Sequence, residues 1–292
     1  MAFQGTAVVL LKYFSFAPPA FITMHAKTAP NGNTYLNIGC GTQYSPEWNN
    51  LDLNPQPDVI AHDVLKPLPF DSETFDAVYS SHVLEHLTPT DGEFFLREQY
   101  RVLKRGGCCR IAVPDLEKIV RDYLVQLEKV EQEPSPARIL DYQWTVLQLV
   151  DQQVREECGG ETLKTLLSGN FNPEFVRSRC GDEFADFMDR SGQTPASPVA
   201  ALKSYLRPLK KALRKTLKLE PPARTSGEVH RWMYDRVSLR LLLTRLGFTD
   251  FKLVSHLQSA IPDWDKYRLD TSLQGPYPRK PDSLFVEAGK PG

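Results

Sequence analysis

Between Tyr35 and Val113 the sequence alternates short apolar strand patterns with an amphipathic helix pattern. The strand patterns are TYLNIG, WNNLDLN, DVIAHDV, FDAVYSS and CCRIAVP. The helix pattern is DGEFFLREQYRVLKRGG, and we expect Gly106 and Gly107 to form its C-cap. Strands that alternate with helical crossovers form a parallel sheet with helices on its faces. The sequence therefore predicts an α/β, doubly wound sheet.

The alternation stops after Asp115. Residues 116–226 contain the helical patterns LEKIVRDYLVQLEKV, ARILDYQWTVLQLVDQQV, GGETLKTLLSG and EFADFMDR, with breaks at SGQTPASP and LEPPARTSGE. We interpret this stretch as a helical insertion or lid. Residues 227–292 contain the helix pattern DRVSLRLLLTRLGF and the strand patterns FKLVSHLQS and DSLFVEAGK, which we expect to pair antiparallel at the end of the sheet. Residues 34–115 form the sheet's first half, and residues 1–33 precede it.

Composition and charge exclude several classes of protein. The 292 residues suffice for one large domain or a domain with an insertion, and the net charge of −1 gives no overall attraction to nucleic acid. The five cysteines are odd in number and form no CxxC, so we expect reduced thiols in a cytoplasmic protein. The first apolar run, Ala7 to Leu11, is far shorter than the ~20 residues of a membrane span, and no basic segment typical of a signal peptide precedes it.

The first strand pattern ends in Gly39-Cys40-Gly41, so two residues without side chains lie at the carboxyl end of a strand. Ligands of doubly wound sheets bind outside this end, and two glycines permit both positive φ and close approach of a ligand. An ordinary strand-to-helix turn remains an equal alternative. A dinucleotide-binding fingerprint would need a third glycine where Tyr44 stands, which argues against NAD or FAD.

Two aspartates follow at the next strand exits. Asp52 can accept hydrogen bonds from both hydroxyls of a ribose, or it can be a turn residue before Asn54 and Pro55. Asp63 can accept from an adenine amino group, or it can be a capping or turn aspartate. Asp63 considered alone favours the turn interpretation. Considered together with Gly39, Gly41 and Asp52, it favours the ligand-binding interpretation.

These motifs together resemble the class I S-adenosylmethionine-dependent methyltransferases, and most closely the methyltransferase type 11 family. The segments LNIGCG, NLDLN, HDVLKPLPFDSETFDAVYSSHVLEHL, YRVLKRGG and CRIAVPD occur in order over about residues 34–115. The resemblance implies a Rossmann-like, seven-stranded sheet with an antiparallel terminal strand, and S-adenosylmethionine as cofactor. In detail the chain is similar to a bacterial subgroup with a shortened first crossover, often associated with surface polysaccharide or secondary-metabolite assembly.

The resemblance also implies cofactor-binding roles. Gly39 and Gly41 would hold the methionine end, Asp52 the ribose and Asp63 the adenine. The full implied set is Asn37, Gly39, Cys40, Gly41, Asp52, Leu53, Asp63, Val64, Ser80 and Ser81. Many family members carry an acidic residue where this chain has Asn37, so Asn37 brings no negative charge toward the sulfonium.

Two histidines are candidate catalytic bases. A hydroxyl acceptor benefits from a general base, and histidine suits this role near neutral pH. His82 follows the fourth strand pattern, and His230 opens HRWMYD. His86 lies four residues after His82, so both could share a helical face; we expect His86 to be packed, with Glu85 at the surface. The order HVLEH differs from the HExxH of zinc proteases, so we predict no metal site.

Candidate substrate-binding residues lie in the same stretches. Arg231 could bind a carboxylate or phosphate, and Trp232 and Tyr234 could stack on a sugar or ring. The alternative is a helix N-terminus in which Trp232 and Met233 are part of the core. Asp115 is either a further acceptor-binding residue or the N-cap of the helix that follows.

Residues 202–218 predict a basic amphipathic helix, with leucines at helical spacing and lysines and arginines on the other faces. It is either a solvated helix packed on the domain or a contact with an anionic membrane surface or phosphorylated acceptor. We expect a cytoplasmic protein, peripheral to the membrane's inner face in the second case, with a small-molecule or glycan acceptor and no nucleic acid partner. The predicted activity is O-methylation; the alternatives are a non-catalytic binding protein and a nicotinamide-dependent oxidoreductase.

Overall fold

The computed structural model describes residues 23–192 and 228–292. In this part of the chain one seven-stranded sheet has the order β3-β2-β1-β4-β5-β7-β6. Its strands are β1 (Tyr35–Ile38), β2 (Asn49–Asp52), β3 (Val59–Ala61), β4 (Phe75–Ser81), β5 (Leu103–Pro114), β6 (Thr249–Leu253) and β7 (Ser283–Gly289). Strands β1 to β5 pair in parallel, and β7 runs antiparallel between β5 and β6. The predicted doubly wound sheet with an antiparallel pair at its end is confirmed.

The described residues form the helices α1 (Pro89–Val102), α2 (Leu116–Gln132), α3 (Pro136–Val154), α4 (Gly160–Ser168), α5 (Pro173–Cys180), α6 (Asp182–Gly192), α7 (Arg236–Arg245) and α8 (Trp264–Tyr267). Helices α1 and α7 pack on the sheet, and α2 to α6, which follow β5 in the chain, contact one another and form the helical layer. Helices α1 to α4, α6 and α7 match the helix patterns of the sequence, whereas α5 and α8 were not predicted. A 3₁₀ turn, Leu84–His86, lies between β4 and α1.

Side-chain caps explain where several helices begin. The side chains of Thr88, Asp115, Ser135, Asn172 and Asp235 each accept a hydrogen bond from a backbone N–H in the first turn of the helix that follows. Such caps satisfy N–H groups that have no partner inside the helix. For Asp115 this confirms the N-cap alternative.

The end of α1 differs from the prediction. The helix ends at Val102, and Leu103 is already extended (φ −73°, ψ 133°) and pairs with Phe75 of β4. Gly106 has φ +74° and lies within β5, where the register between β4 and β5 shifts. The fully buried Leu103 belongs to the core, so the chain becomes a strand three residues before the glycines. The Gly106–Gly107 pair is therefore not a helix C-cap.

The alternation of side chains along β1 places two hydrophobic clusters on opposite faces of the sheet. Leu36 and Ile38 belong to the larger cluster, which also receives α1 and α7. Tyr35 belongs to the other cluster, which includes Trp48 and Trp264. The helical layer has a third cluster of its own, formed by Trp144, Phe171, Val176 and Phe184. The layer therefore has an independent core and contacts the sheet at the carboxyl ends of its strands.

Candidate active site at the carboxyl ends of the strands

The turn after β1 combines one tightly packed glycine with one open glycine. Gly39 and Gly41 have φ angles of +67° and +52°. A Cβ on Gly39 would lie 2.3 Å from Cγ2 of Val83, whereas a Cβ on Gly41 would meet no atom within 4 Å. Gly39 therefore lets the turn pack on the segment after β4, and Gly41 leaves open space where a side chain would stand. The thiol of Cys40 between them is buried, and burial together with Asp52 raises its pKa to about 12.

Asp52 links the exits of β1 and β2. Its carboxylate accepts hydrogen bonds from the N–H of Gly41 (2.8 Å) and the N–H of Asn54 (2.9 Å). The hydrogen bond from Asn54 forms the local turn that the sequence offered as the alternative to ribose binding. The hydrogen bond from Gly41 places the carboxylate at the glycine turn. Each carboxylate oxygen retains a further lone pair for a ligand. Leu53, also predicted at this site, is 71% exposed.

Asp63 lies in a local turn after β3. Its carboxylate accepts from the N–H of Leu65 at 3.0 Å, and Lys66 Nζ lies 3.9 Å away. Val64 beside it is partly buried against the larger cluster. Asp63 therefore has the geometry of a turn aspartate, which was the alternative to ligand binding. The contact of Asp63 with adenine stays a prediction.

Two polar residues at the ends of β1 and β4 are buried. Asn37 is 1% exposed and donates to the carbonyl of Gln43 at 3.2 Å. Ser80 is 1% exposed, and its Oγ has no hydrogen-bond partner among the described residues. Ser81 follows it, half-buried, at the end of β4. An unpartnered buried hydroxyl and the open space beside Gly41 both fit a polar ligand at this edge of the sheet.

Glu85 is the centre of a histidine cluster after β4. Its Oε1 lies 3.0 Å from Nδ1 of His82 and 3.9 Å from Nε2 of His86. The rings of His86 and His230 meet edge to face with centroids 4.9 Å apart. His82 has φ +54° and precedes the 3₁₀ turn, so His82 and His86 do not share a helical face; they meet around Glu85. Glu85 is fully buried, so its expected surface position is wrong.

The segment with the sequence HRWMYD runs beside this cluster. The N–H groups of Arg231 and Trp232 donate to the carbonyl of Glu85 (2.7 and 3.2 Å), and the N–H of His230 donates to the carbonyl of Gln152 (2.9 Å). His230 and Tyr234 are buried, whereas Trp232 is 48% exposed. The segment leads into α7, whose N-cap is Asp235, so it lies at a helix N-terminus as the alternative expected. The exposure of Trp232 contradicts the core position that the alternative gave it.

A cavity of about 380 Å³ separates these strand ends from the helical layer. We call it the histidine cavity. Its sheet side includes His82, Glu85, His86, His230 and Ser283, and its helical side includes Trp144, Gln148, Arg155, Cys180 and Glu183. Asp115, Arg231, Trp232 and Tyr234 are not among its lining residues, although Asp115 and Tyr234 form a backbone bridge at its border.

Burial controls the charge state of this cavity. Burial lowers the pKa of His82, and it lowers the pKa of His230 to about 3, so both imidazoles are neutral near pH 7. Burial alone would raise the pKa of Glu85, but the imidazole groups of His82 and His86 lower it to about 2. The cluster therefore presents the ionised carboxylate of Glu85 beside the neutral imidazoles of His82 and His230.

Sequence reasoning missed several residues of this cavity. They are Gln148, Arg155, Glu183, Lys280, Asp282 and Ser283. Ser283 hydrogen-bonds to His82 although 201 positions separate them. No local pattern marks such residues, because only folding brings them to the strand ends.

Residues 36–111 match a family model described as a methyltransferase domain. Over these residues the chain is similar to methyltransferase domains. The match confirms the predicted resemblance to the type 11 methyltransferases, whose implied cofactor is S-adenosylmethionine. The match includes the glycine turn, Asp52, Asp63 and the histidines after β4, and it covers about a quarter of the 292 residues.

Several solved structures share weak similarity with the whole or part of the chain. A SAM-dependent methyltransferase from Archaeoglobus fulgidus is 15% identical over 88% of this chain and 86% of that chain, with a TM-score of 0.35. The carbon methyltransferase CurJ is 11% identical over 95% and 50%, with a TM-score of 0.36. The 1,6-didemethyltoxoflavin-N1-methyltransferase from Burkholderia thailandensis, with S-adenosylhomocysteine bound, is 17% identical over 28% and 45%, with a TM-score of 0.26. At these values the similarity assigns no acceptor to this chain. No curated protein matches the chain.

Two predictions concern the membrane. Within residues 23–192 and 228–292, no helix is both long and apolar enough to cross a bilayer. The basic segment 202–218 lies outside the described residues, so its contact with an anionic surface stays a prediction.

Proposed function

We propose that this protein transfers the methyl group of S-adenosylmethionine to an oxygen atom of an acceptor held in the histidine cavity. The observation that carries the proposal is the contact between Gly39 and Val83, because Val83 follows His82 directly in the chain. The glycine turn and the cavity are therefore neighbours at one edge of the sheet. A sugar, a polysaccharide precursor or a secondary metabolite with a free hydroxyl is the acceptor class that we propose.

The residues at the exits of β1 to β4 would hold the cofactor. Gly41 leaves open space beside its Cα, Asp52 offers carboxylate lone pairs, and Ser80 offers a buried hydroxyl that has no partner within residues 23–192 and 228–292. The bound cofactor supplies an electrophilic methyl group on a sulfonium, while the protein supplies orientation. Asp63 would contact adenine only if its carboxylate exchanged the N–H of Leu65 for the amino group or used a second lone pair.

His82 is the general base in this proposal. Its Nδ1 lies 3.0 Å from Glu85 Oε1, and its Nε2 lies 2.8 Å from the hydroxyl of Ser283. A neutral imidazole that is held by Ser283 at Nε2, with a carboxylate at ion-pair distance from Nδ1, is suited to accept a hydroxyl proton. His230, the other predicted base, borders the same cavity beside His86.

The predicted substrate-binding residues do not line the histidine cavity, and Trp232 and Tyr234 line a second pocket together with Pro89 and Leu241. Trp232 presents a partly exposed ring on which a sugar could stack, and Arg231 follows His230 in the same segment. Asp115 already accepts from the N–H of Lys118, so its contribution to acceptor binding would use its remaining lone pairs.

Calorimetric titration with S-adenosylhomocysteine tests the cofactor site. We expect saturable binding by the parent and at least a tenfold loss in Asp52→Ala. Asp71→Ala is the matched control, because Asp71 is an exposed aspartate that precedes β4 at the opposite edge of the sheet. No binding by the parent would refute the cofactor site, and equal binding by Asp52→Ala would refute the ribose role. Thermal unfolding of each variant separates loss of ligand from loss of fold, since Asp52 also holds the Gly41 turn.

Product formation separates an enzyme from a non-catalytic binding protein. A methylated product from any hydroxyl-bearing acceptor, lost in His82→Gln with S-adenosylhomocysteine binding retained, supports O-methylation with His82 as base. A methylated nitrogen or carbon in the product would instead reassign the acceptor atom.

A further inference from the structure

We propose that Glu85, His86 and His230 form a binding site for a divalent metal ion that prefers imidazole ligands, such as Zn²⁺ or Co²⁺, in the wall of the histidine cavity. One ligand atom from each residue lies within 4.8 Å of the other two. Two histidines and one carboxylate are a ligand set of catalytic zinc sites that keep a further position open. Here that position would face the cavity.

The unpartnered atoms of the cluster point to a cation. Glu85 is fully buried and His230 is 7% exposed. Within the described residues, neither carboxylate oxygen of Glu85 has a hydrogen-bond partner, and neither does Nδ1 of His230. Nδ1 of His82 lies 3.0 Å from Glu85 Oε1, at ion-pair distance but outside hydrogen-bonding geometry. Buried polar atoms are rarely left in this condition, and one metal ion would satisfy all three.

The surrounding backbone holds the ligands in place. The carbonyl of Val229 lies 3.3 Å from Nδ1 of His86, so a proton on Nδ1 leaves Nε2 free to bind a metal. The Glu85 carbonyl accepts from Arg231 and Trp232, which ties the 3₁₀ turn to the segment that carries His230. Three ligands at about 2.0–2.2 Å from a zinc ion lie closer together than 4.8 Å, so small side-chain rotations would complete the site.

Fixed cations of the cavity do not neutralise Glu85. Lys280 pairs with Glu183 at 2.5 Å, and Arg155 pairs with Asp151 and Glu228 at 2.8 and 2.7 Å. Arg179 pairs with Asp122 and lies 3.7 Å from Asp282. Their charges are therefore matched by carboxylates other than Glu85, which leaves the buried carboxylate to a bound cation.

A metal ion here would also serve the proposed reaction. It could take the acceptor hydroxyl as a further ligand and lower the pKa of that hydroxyl. This consequence rests on the proposed function, whereas metal binding itself does not. The sequence pattern hides the site, because its ligands are two adjacent residues and a third 144 positions later, which matches no HExxH spacing.

Direct metal binding tests the proposal without an acceptor. The purified full chain is titrated with Co²⁺ or Zn²⁺, with stoichiometry from elemental analysis after dialysis and ligand type from the Co²⁺ spectrum. We expect one ion per chain, a Co²⁺ spectrum without thiolate charge-transfer bands, and a higher melting temperature with Zn²⁺. Absence of saturable binding would overturn the proposal, and so would a thiolate spectrum, which would place the ion on cysteines.

Three variants identify the ligands. We expect at least a tenfold loss of metal affinity in Glu85→Gln, His230→Gln and His86→Gln. His256→Gln is the matched control, because His256 is a half-buried histidine whose Nε2 contacts the carbonyl of Pro276, outside the cavity. His86 is the least buried of the three ligands, so His86→Gln carries the lowest risk of misfolding. Retained S-adenosylhomocysteine binding shows that a variant is folded, and unchanged metal affinity in folded ligand variants would disprove the assignment.

Discussion

At the scale of the residue, the two glycines of the first turn have the same backbone conformation for different reasons. Both have positive φ, a backbone conformation that residues other than glycine adopt at a cost of about 1–2 kcal/mol. Only Gly39 faces a neighbour, since its Cβ would overlap Val83. Gly41 faces open space, which the proposed cofactor would approach. The sequence motif Gly-Cys-Gly does not distinguish these two roles.

Alanine substitutions separate the two roles. We expect Gly41→Ala to lower the free energy of unfolding by about 1–2 kcal/mol, and Gly39→Ala to lower it by a further ~1–3 kcal/mol through overlap with Val83. We also expect folded Gly41→Ala to bind S-adenosylhomocysteine more weakly, because the new methyl group stands where the ligand approaches. Urea denaturation measures the first effect and calorimetry the second. Equal destabilisation by both substitutions would contradict the packing role of Gly39.

At the scale of the element, Asp76 joins three strands at the edge opposite the site. It lies near the start of β4, and its Oδ2 accepts from Lys104 Nζ on β5 (2.8 Å) and from the N–H (2.7 Å) and Oγ1 (2.9 Å) of Thr34, just before β1. Burial acts to raise the pKa of Asp76, but the hydrogen bonds from Lys104 and Thr34 outweigh it and lower the pKa below the ordinary value. The ionised carboxylate therefore stabilises the alignment of β1, β4 and β5.

This carboxylate predicts a pH dependence of stability. Because its pKa is lower in the folded protein than in the unfolded chain, its stabilisation is complete above the unfolded pKa and disappears as the pH falls through the folded pKa. We expect Asp76→Asn to lower the free energy of unfolding by about 1–2 kcal/mol at pH 7, and the difference from the parent to shrink as the pH falls below about 4. Denaturant titrations at several pH values measure it, with Asp71→Asn as the exposed control. A difference independent of pH would argue against this role of the charge.

At the scale of the whole molecule, Arg110 joins the C-terminal part of the chain to the sheet. It lies fully buried on β5 and donates to Asp270 and to Glu287 of β7, both at 2.8 Å. It also donates to the carbonyls of Gln258 and Ser255, and its guanidinium lies 4.2 Å from the ring centre of Trp264. One side chain therefore organises the loops between β6 and β7 that lead back to Ser283 at the cavity.

Removal of Arg110 would leave two carboxylates buried without their cation. We expect Arg110→Met to lower the free energy of unfolding by about 3–5 kcal/mol. The control is Arg105→Met, because Arg105 is an exposed arginine of the same strand whose pair with Glu73 at 3.3 Å should contribute at most about 1 kcal/mol. Denaturant titration at neutral pH measures both variants. Similar losses in the two would mean that the buried network contributes little to stability.

Local patterns predicted most of the fold. The strands β1 to β5 and the helices α1 to α4 are visible in the sequence because their apolar periods of 2 and 3.6 depend only on neighbouring residues. The predicted end of α1 was wrong, because Leu103 pairs with Phe75 of β4 and the chain leaves the helix before Gly106 and Gly107. Helices α5 and α8 were missed because they are short, at eight and four residues.

The sequence by itself determined the resemblance to methyltransferase domains, the order of strands and helices, and the glycine turn with Asp52. These features are encoded by residues close together in the chain, where periodicity and backbone conformation act directly. Only the tertiary structure decided that Glu85 is buried, that His86 meets His230, and that a cavity opens toward the helical layer. Those contacts join residues more than a hundred positions apart, and their burial and charge exist only once the separate elements have packed.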